Sequence, residues 1–186
     1  MNLAEIRSKL KRNLPKERFI HSLGTMEISL KLAERYGVDK EKACIAALLH
    51  DCAKDICYEE TLNLCKENQI ELDGYKILEP ILIHAELGAF IAKRDYMIED
   101  EEILSAIKYH TIGRPNMSML EKVIFIADYI EPNREHKEAD LAREVVFEDI
   151  NKAIVICIKK TIEYVKNKGG FVHPDSMLVL NSLEAK

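Results

Sequence analysis

Apolar positions recur along nearly the whole chain at the three- and four-residue steps of an α-helix, and no stretch alternates convincingly in the manner of a strand. Residues 2–13 predict a short amphipathic helix that stops near Pro15. Residues 17–36 predict a longer one, with Ile20, Leu23, Ile28, Leu32 and Tyr36 on its apolar side and Gly37 as its end signal. Asp39 is placed to cap a third helix over 40–54, whose run Ala43-Cys44-Ile45-Ala46-Ala47-Leu48-Leu49 is apolar on every side and therefore predicts burial. That helix delivers His50-Asp51 at its end. Further helices are expected over 59–68, 82–95 and 100–110, with a turn at Asp73-Gly74 and a break at Gly113-Arg114-Pro115. Ser118 with Glu121 forms the pattern of a capping box, opening a helix that carries Asp128 and ends before Pro132. One long helix over 139–167 keeps Val146, Ile150, Ile154, Ile158, Ile162 and Val165 on a single stripe, stops at Gly169-Gly170, and is followed by a last helix after Pro174. The expected architecture is all-α, a helical bundle with polar side chains projecting inward between helices.

Composition narrows this picture. With 186 residues, 47% of them hydrophobic, the chain is long enough for one good-sized core and short for two, so 1–186 is expected to be a single domain. Its net charge of −5, with acids and bases interspersed and no basic stripe, supplies no electrostatic reason for a nucleic-acid partner. Cys44, Cys52, Cys57, Cys65 and Cys157 are odd in number and lack a C-x-x-C pair, which reads as reduced thiols in a cytoplasmic protein. No signal core follows Met1 and no apolar run approaches membrane-spanning length, so no membrane association is expected. Met117, Met119 and the cysteines read as core packing. A monomer, or a homodimer through the terminal helices, is compatible with all of this.

The chemistry concentrates in six positions: His21, the adjacent pair His50-Asp51, His84, His110 and Asp128. Imidazole and carboxylate together suit divalent iron, manganese, zinc or nickel, and polar groups set among apolar runs are costly unless something pairs with them. A metal centre would satisfy all six. Lys54 follows His50 by four residues and Asp51 by three, which puts its ammonium on the same side of a helix as the pair. A cation beside metal ions is repelled unless an anion lies between them, so Lys54 argues for an anionic substrate rather than a structural site. His136, in the charged stretch Arg134-Glu135-His136-Lys137-Glu138, reads as part of a solvated face, and His173 as a loop residue.

Five ordered blocks carry a family resemblance. They are Arg18-Phe19-Ile20-His21-Ser22-Leu23-Gly24-Thr25, Leu48-Leu49-His50-Asp51-Cys52-Ala53-Lys54-Asp55, His84-Ala85-Glu86-Leu87-Gly88-Ala89, His110-Thr111-Ile112-Gly113-Arg114, and Ala127-Asp128-Tyr129-Ile130-Glu131-Pro132-Asn133-Arg134. Together they resemble the HD-domain superfamily of helical metal-dependent phosphohydrolases and, more closely, the bacterial YqeK family, with the motif-bearing core at about 17–134 and helices over 139–186 packing on it. The resemblance implies two divalent ions, iron first, with manganese or another divalent ion as the alternative. His21, His50, Asp51 and Asp128 would hold one, and His84, His110 and a bridging Asp51 the other. It also implies symmetrical hydrolysis of diadenosine tetraphosphate to two ADP by a hydroxide activated between the ions, with a dinucleoside polyphosphate or purine nucleoside diphosphate as the small-molecule partner. In that setting Lys54 would stabilise phosphate oxygens, Arg18, Arg114 and Arg134 would contact the polyphosphate, Asp55 would orient a ligand or protonate the leaving phosphate, and Tyr109, Tyr129 or Phe171, near the motif blocks, would stack on the purine. Two alternatives are a phosphodiesterase or nucleotidase of other substrate, and a purine-nucleotide-binding regulatory module with little turnover.

Overall fold

A computed structural model describes residues 1–185, and among them there are eleven α-helices and no strand. α1 (Leu3–Asn13) is opened by a capping box between Asn2 and Glu5, and α2 (Lys16–Tyr36) is closed by Gly37, whose φ of 69° lies in the left-handed region that a side chain disfavours. Asp39 caps α3 (Lys40–Leu49) by accepting the N–H groups of Glu41 and Lys42. α4 (Tyr58–Glu67), α5 (Gly74–Leu78) and a 3-10 turn at Pro80–Leu82 lead into α6 (Ile83–Tyr96) and α7 (Glu101–Lys108). α8 (Met119–Ile130) begins at the capping box of Ser118 and Glu121, and α9 (Lys137–Val145), α10 (Ile150–Asn167) and α11 (Pro174–Glu184) complete the chain.

α3 is the pivot of the packing. Every residue from Ala43 to Leu49 is buried, as a helix apolar on all sides requires, and α1, α2, α6, α7 and α8 all lie against it. α10 packs on α8, α9 and α11, and one continuous apolar cluster runs from Ile6 to Leu180. No helix among the described residues is long and apolar enough to cross a membrane, and all five cysteines are free thiols. Two of the positions read as core lie outside it: Met119 and Cys57 are exposed, Met119 opening α8 and Cys57 preceding α4.

The structure departs from the sequence pattern at four places, each for a local reason. The expected helix over 40–54 stops at Leu49; beyond it the chain tightens into three-residue turns, with the N–H of Cys52 on Leu49 O and that of Lys54 on Asp51 O. The stripe over 139–167 is cut at Val146–Asp149, because Asp149 turns its carboxylate onto the N–H groups of Asn151 and Lys152 and starts a new helix. α2 contributes to this corner, with the Tyr36 hydroxyl donating to Val146 O and the Arg35 guanidinium to Phe147 O. Asp73-Gly74 is the cap and first residue of α5 rather than a free turn. Finally, the buried face of α2 holds Phe19, His21, Ser22, Gly24, Thr25, Ser29, Leu32 and Ala33, while Ile20 is exposed. Small side chains let α3 and α8 come close to α2, and that closeness brings His21 to the residues at the end of α3.

Asp149→Ala should lower stability by about 1 kcal/mol, the usual cost of losing a helix N-cap. Urea unfolding monitored by helical ellipticity measures this, and an unchanged midpoint would show that the corner stands without the cap.

Candidate metal centre

Five segments converge on one buried spot. α2 supplies His21, the end of α3 supplies His50 and Asp51, the first turn of α6 supplies His84, the turn after α7 supplies His110, and the last turn of α8 supplies Asp128. His50 and Asp51 are fully buried, and His110 and His84 nearly so.

Three of the histidines are oriented by the same local device. Nδ1 of His50 donates to Ala47 O at 2.7 Å, Nδ1 of His110 donates to Ile107 O at 2.7 Å, and Nδ1 of His84 donates to Ile81 O, in each case the carbonyl three residues earlier. A carbonyl only accepts, so the hydrogen sits on Nδ1 and the neutral ring presents a bare Nε2 lone pair to the centre. His21 is oriented instead by Glu131, whose Oε1 lies 3.2 Å from its Nδ1 and leaves Nε2 turned to the centre.

The bare nitrogens meet in pairs. Nε2 of His21 is 3.1 Å from Nε2 of His50, and Nε2 of His84 is 3.2 Å from Nε2 of His110. Asp51 stands between the pairs: Oδ2 is 3.6 Å from both His21 and His50, while Oδ1 is 3.1 Å from His84 and 3.4 Å from His110. Asp128 Oδ1 joins the first pair, 3.0 Å from His21 and 3.8 Å from His50. The donor atoms form three overlapping groups able to hold a metal ion, each with its members within 4.8 Å of one another.

A cation suits these residues on two physical counts. Donors about 2.1 Å from a divalent ion are separated by roughly 3.0–3.4 Å along the edges of its coordination polyhedron, which is the spacing of both imidazole pairs. Asp51 Oδ1 is buried without a hydrogen-bond donor, since the hydrogens of His84 and His110 are committed to backbone carbonyls. Electrostatics agree. Burial pushes the pKa of His50 down to about 3, against the opposing pull of Asp51 and Asp128, and burial with the neighbouring His110 also lowers that of His84, so both rings stay neutral. Burial works against ionising Asp51, but His50, His110, His84 and Lys54 outweigh it and hold the carboxyl well below the usual range. At His21 burial is again overcome, here by Asp128, Asp51 and Glu131, and the pKa rises: positive charge is favoured there.

Three of the expected phosphate contacts are gathered at the rim. Arg18 Nη1 is 2.7 Å and Lys54 Nζ 3.1 Å from Asp51 Oδ2, and Arg134 Nη2 is 2.9 Å from Asp128 Oδ1. Asp55 pairs with Arg18 Nε at 3.0 Å and so fixes the guanidinium rather than a metal-facing side chain. Arg114 is not brought to this group. Its guanidinium lies 2.8 Å from Glu121, whose buried carboxylate closes the capping box of α8 and takes Arg114 as its counter-charge. His136 and His173 are both N-caps, of α9 and α11; His173 is buried, with Nε2 3.2 Å from Asp73.

Two supporting residues escape the sequence pattern. Glu131 is buried, accepts the backbone and side-chain N–H groups of Asn133 at 2.8 Å each, and holds His21 with its other oxygen. It can do so because Gly24, one turn after His21, has no side chain: a Cβ there would overlap the Glu131 carboxylate. Arg143 on α9 donates to Ile130 O at 2.9 Å, Glu131 O at 2.7 Å and Arg134 O at 2.9 Å, clamping the loop that carries Glu131 and Arg134. The only sequence signal for Glu131 was its position within the last motif block, and Arg143 had none.

Comparison with known proteins places this arrangement. The HD domain family model matches residues 18–133. The chain is 41% identical over 186 residues to the symmetrical bis(5'-nucleosyl)-tetraphosphatase of Bacillus subtilis, covering 98% of each sequence. It is 36% identical to the enzyme of the same name from Staphylococcus aureus, covering 97% of this chain and 94% of the relative. The crystal structure of a predicted HD superfamily hydrolase involved in NAD metabolism from Clostridium acetobutylicum superposes with a TM-score of 0.95 at 43% identity, covering 100% of this chain and 98% of that one.

Gly24→Ala should displace Glu131, free the His21 ring and weaken divalent-ion binding by about 10–100-fold, the usual effect of losing an outer partner of a ligating histidine. Competition titration against a fluorescent chelator measures it, with circular dichroism as a check on folding. Undiminished affinity in a folded variant would remove Glu131 from any role in presenting His21.

Proposed function

The chain belongs to the HD domain family, and from that membership we propose that it is a metal-dependent hydrolase that splits dinucleoside tetraphosphates, diadenosine tetraphosphate first among them, symmetrically into two nucleoside diphosphates. The relatives that share its full length carry that activity in their names. The observation that carries the reading to this chain is Asp51, whose two oxygens face two separate imidazole pairs. One ion is assigned to His21, His50, Asp51 and Asp128, and a second to His84, His110 and Asp51, with iron as the first choice of metal from the family resemblance and manganese, zinc or nickel equally compatible with a mixed imidazole and carboxylate set. Divalent ions held there would lower the pKa of a water molecule and neutralise charge on the attacked phosphate.

The remaining work falls to the chain's own groups. The oxygen of water becomes bonded to the second phosphorus, and the anhydride bond to the third phosphate breaks. The electron pair leaves with the other half of the substrate, so that both products are nucleoside diphosphates. Negative charge grows on the equatorial and leaving oxygens. Lys54, half-buried beside Asp51, and Arg18, braced by Asp55, face that charge from one edge, and Arg134 faces it from beside Asp128. Their salt bridges to the cluster keep them pointed inward, so little rearrangement is required when the polyphosphate arrives. His50 and His84, buried and neutral, are free to offer their Nε2 lone pairs to a cation.

Purified protein stripped of metal, reloaded with iron(II), manganese(II) or zinc(II) and incubated with diadenosine tetraphosphate should yield ADP alone. ATP with AMP would replace symmetrical by asymmetrical cleavage, and absence of metal-dependent turnover would return the chain to the nucleotide-binding class. Asp51→Ala should lose bound metal and activity together. Lys54→Ala should keep its metal content while its rate falls by about 10²–10³, the scale of a lost charge-stabilising donor.

A further inference from the structure

A symmetrical substrate meets an unsymmetrical receptor here. A cavity of about 230 Å³ opens on the cluster beside His110 and Asp128, between α8, α10 and the segment leading into α11. Its walls include Phe125, Ile158, Ile162, Val165, Phe171 and Val172. A second cleft, of about 620 Å³, shares Asp128, Tyr129 and Thr161 with the first but is otherwise lined by the charged Arg134, Glu138, Lys160 and Glu163 together with His136, Tyr164 and Asn167. Of the expected purine-stacking residues, Tyr129 and Phe171 lie on the apolar cavity; Tyr109 does not, and packs under the Arg114 guanidinium instead.

The two spaces suit different things. A nucleobase has apolar faces, and burying them against side chains gains about 25 cal/mol per Å². In the charged cleft the same base would displace water from side chains that are better left hydrated. The apolar cavity is smaller than the roughly 300–1,000 Å³ that encloses a drug-sized ligand, so it takes one base with its sugar and leaves the phosphates outside, on the cluster. Its outer wall is held in place: Glu79 accepts the Phe171 N–H at 2.9 Å, and Asp73 pairs with His173 at 3.2 Å.

We propose that the chain reads the two ends of its substrate unequally: one purine nucleoside seats in the cavity between α8, α10 and α11 and sets specificity, while the half lying over the charged cleft is accepted with little regard to what ends it. The proposal rests on the tetraphosphatase reading above. It extends the substrate class to nucleoside tetraphosphates whose far end is not a nucleoside. The same step applies, with water adding to one central phosphorus and the bond to its neighbour breaking, so the products are a nucleoside diphosphate and a diphosphate monoester of the far group.

The test uses metal-loaded protein and three substrates: diadenosine tetraphosphate, adenosine tetraphosphate carrying a methyl ester on its last phosphate, and dimethyl tetraphosphate. Failure on the first overturns the activity itself and is thereby separated from the present proposal. Given activity on the first, the methyl-ended substrate should keep kcat/KM within about threefold, while the dimethyl compound should lose about a hundredfold or more, in line with a single buried base worth roughly one to two orders of magnitude in binding. Equal losses for the first and second nucleoside would overturn the proposal. Calorimetry with ADP supplies a readout independent of turnover: one tight equivalent is expected, and two equivalents of equal affinity would again overturn it. Phe171→Ala, at an exposed wall position, and Val165→Phe, which fills the cavity, should each weaken that ADP equivalent about tenfold with metal content and ellipticity unchanged. Unchanged ADP affinity in both folded variants would place the base elsewhere.

Discussion

The structure depends on the Asp51 carboxylate, a fully buried anion with one oxygen turned to each of two imidazole pairs. Burying such a group without compensation costs several kcal/mol, so everything around it has to supply positive charge or its equivalent. That demand explains why helices from distant parts of the chain end, turn or begin at one point. α3 ends two residues before it, α6 begins beside it, and α7 stops just short of His110. The apolar shell of α3 then serves a second purpose: with Ala43 to Leu49 buried on every side, the helix has no freedom to shift, and the residues at its end inherit that rigidity.

Around this anion two kinds of group share the compensation. His50 and His84 are imidazoles kept neutral by burial, and His50 and His110 are pointed by carbonyls three residues earlier. Arg18 and Lys54 meet Oδ2 of the same carboxylate directly, Arg134 pairs with Asp128, and Asp55 stands behind Arg18, which it holds. Lysine and arginine differ here in what they can do. The two arginines each bond more than one acceptor and are fixed in direction, whereas Lys54 presents a single point charge on a flexible stem. Two fixed cations and one adaptable one are well suited to a phosphate whose geometry changes during displacement.

How much of this was legible in the sequence follows from the range of each interaction. That six His and Asp residues come together was legible because each is chemically unusual for its apolar surroundings, and because Lys54 lies within one helical turn of the pair. Most helices were legible from periodicity and from side-chain caps such as Asp39 and Ser118, whose partners are two or three residues away. The corner at Val146–Asp149 was hidden because the apolar stripe continues through it, and because Tyr36 and Arg35, which satisfy its carbonyls, come from the far side of the fold. The burial of Ser22, Gly24 and Ser29 on α2 reversed the usual sense of polarity, since what that face required was small size. Glu131 and Gly24 meet only in three dimensions, as do Arg114 and the buried carboxylate that keeps it from the site.

The Arg143 clamp also bears on the order in which the site is completed. Asp128 is the last of the six clustered residues along the chain, and the loop after it is clamped by a guanidinium from α9, bonded to the carbonyls of Ile130, Glu131 and Arg134. A chain emerging from the ribosome therefore has all six side chains available before it has the Arg143 clamp. The wall of the apolar cavity, on α10 and the approach to α11, is made later still. Synthesis thus runs from the His and Asp cluster to loop support to cavity wall, and the apolar cavity can take its final form only when nearly all of the chain has been made.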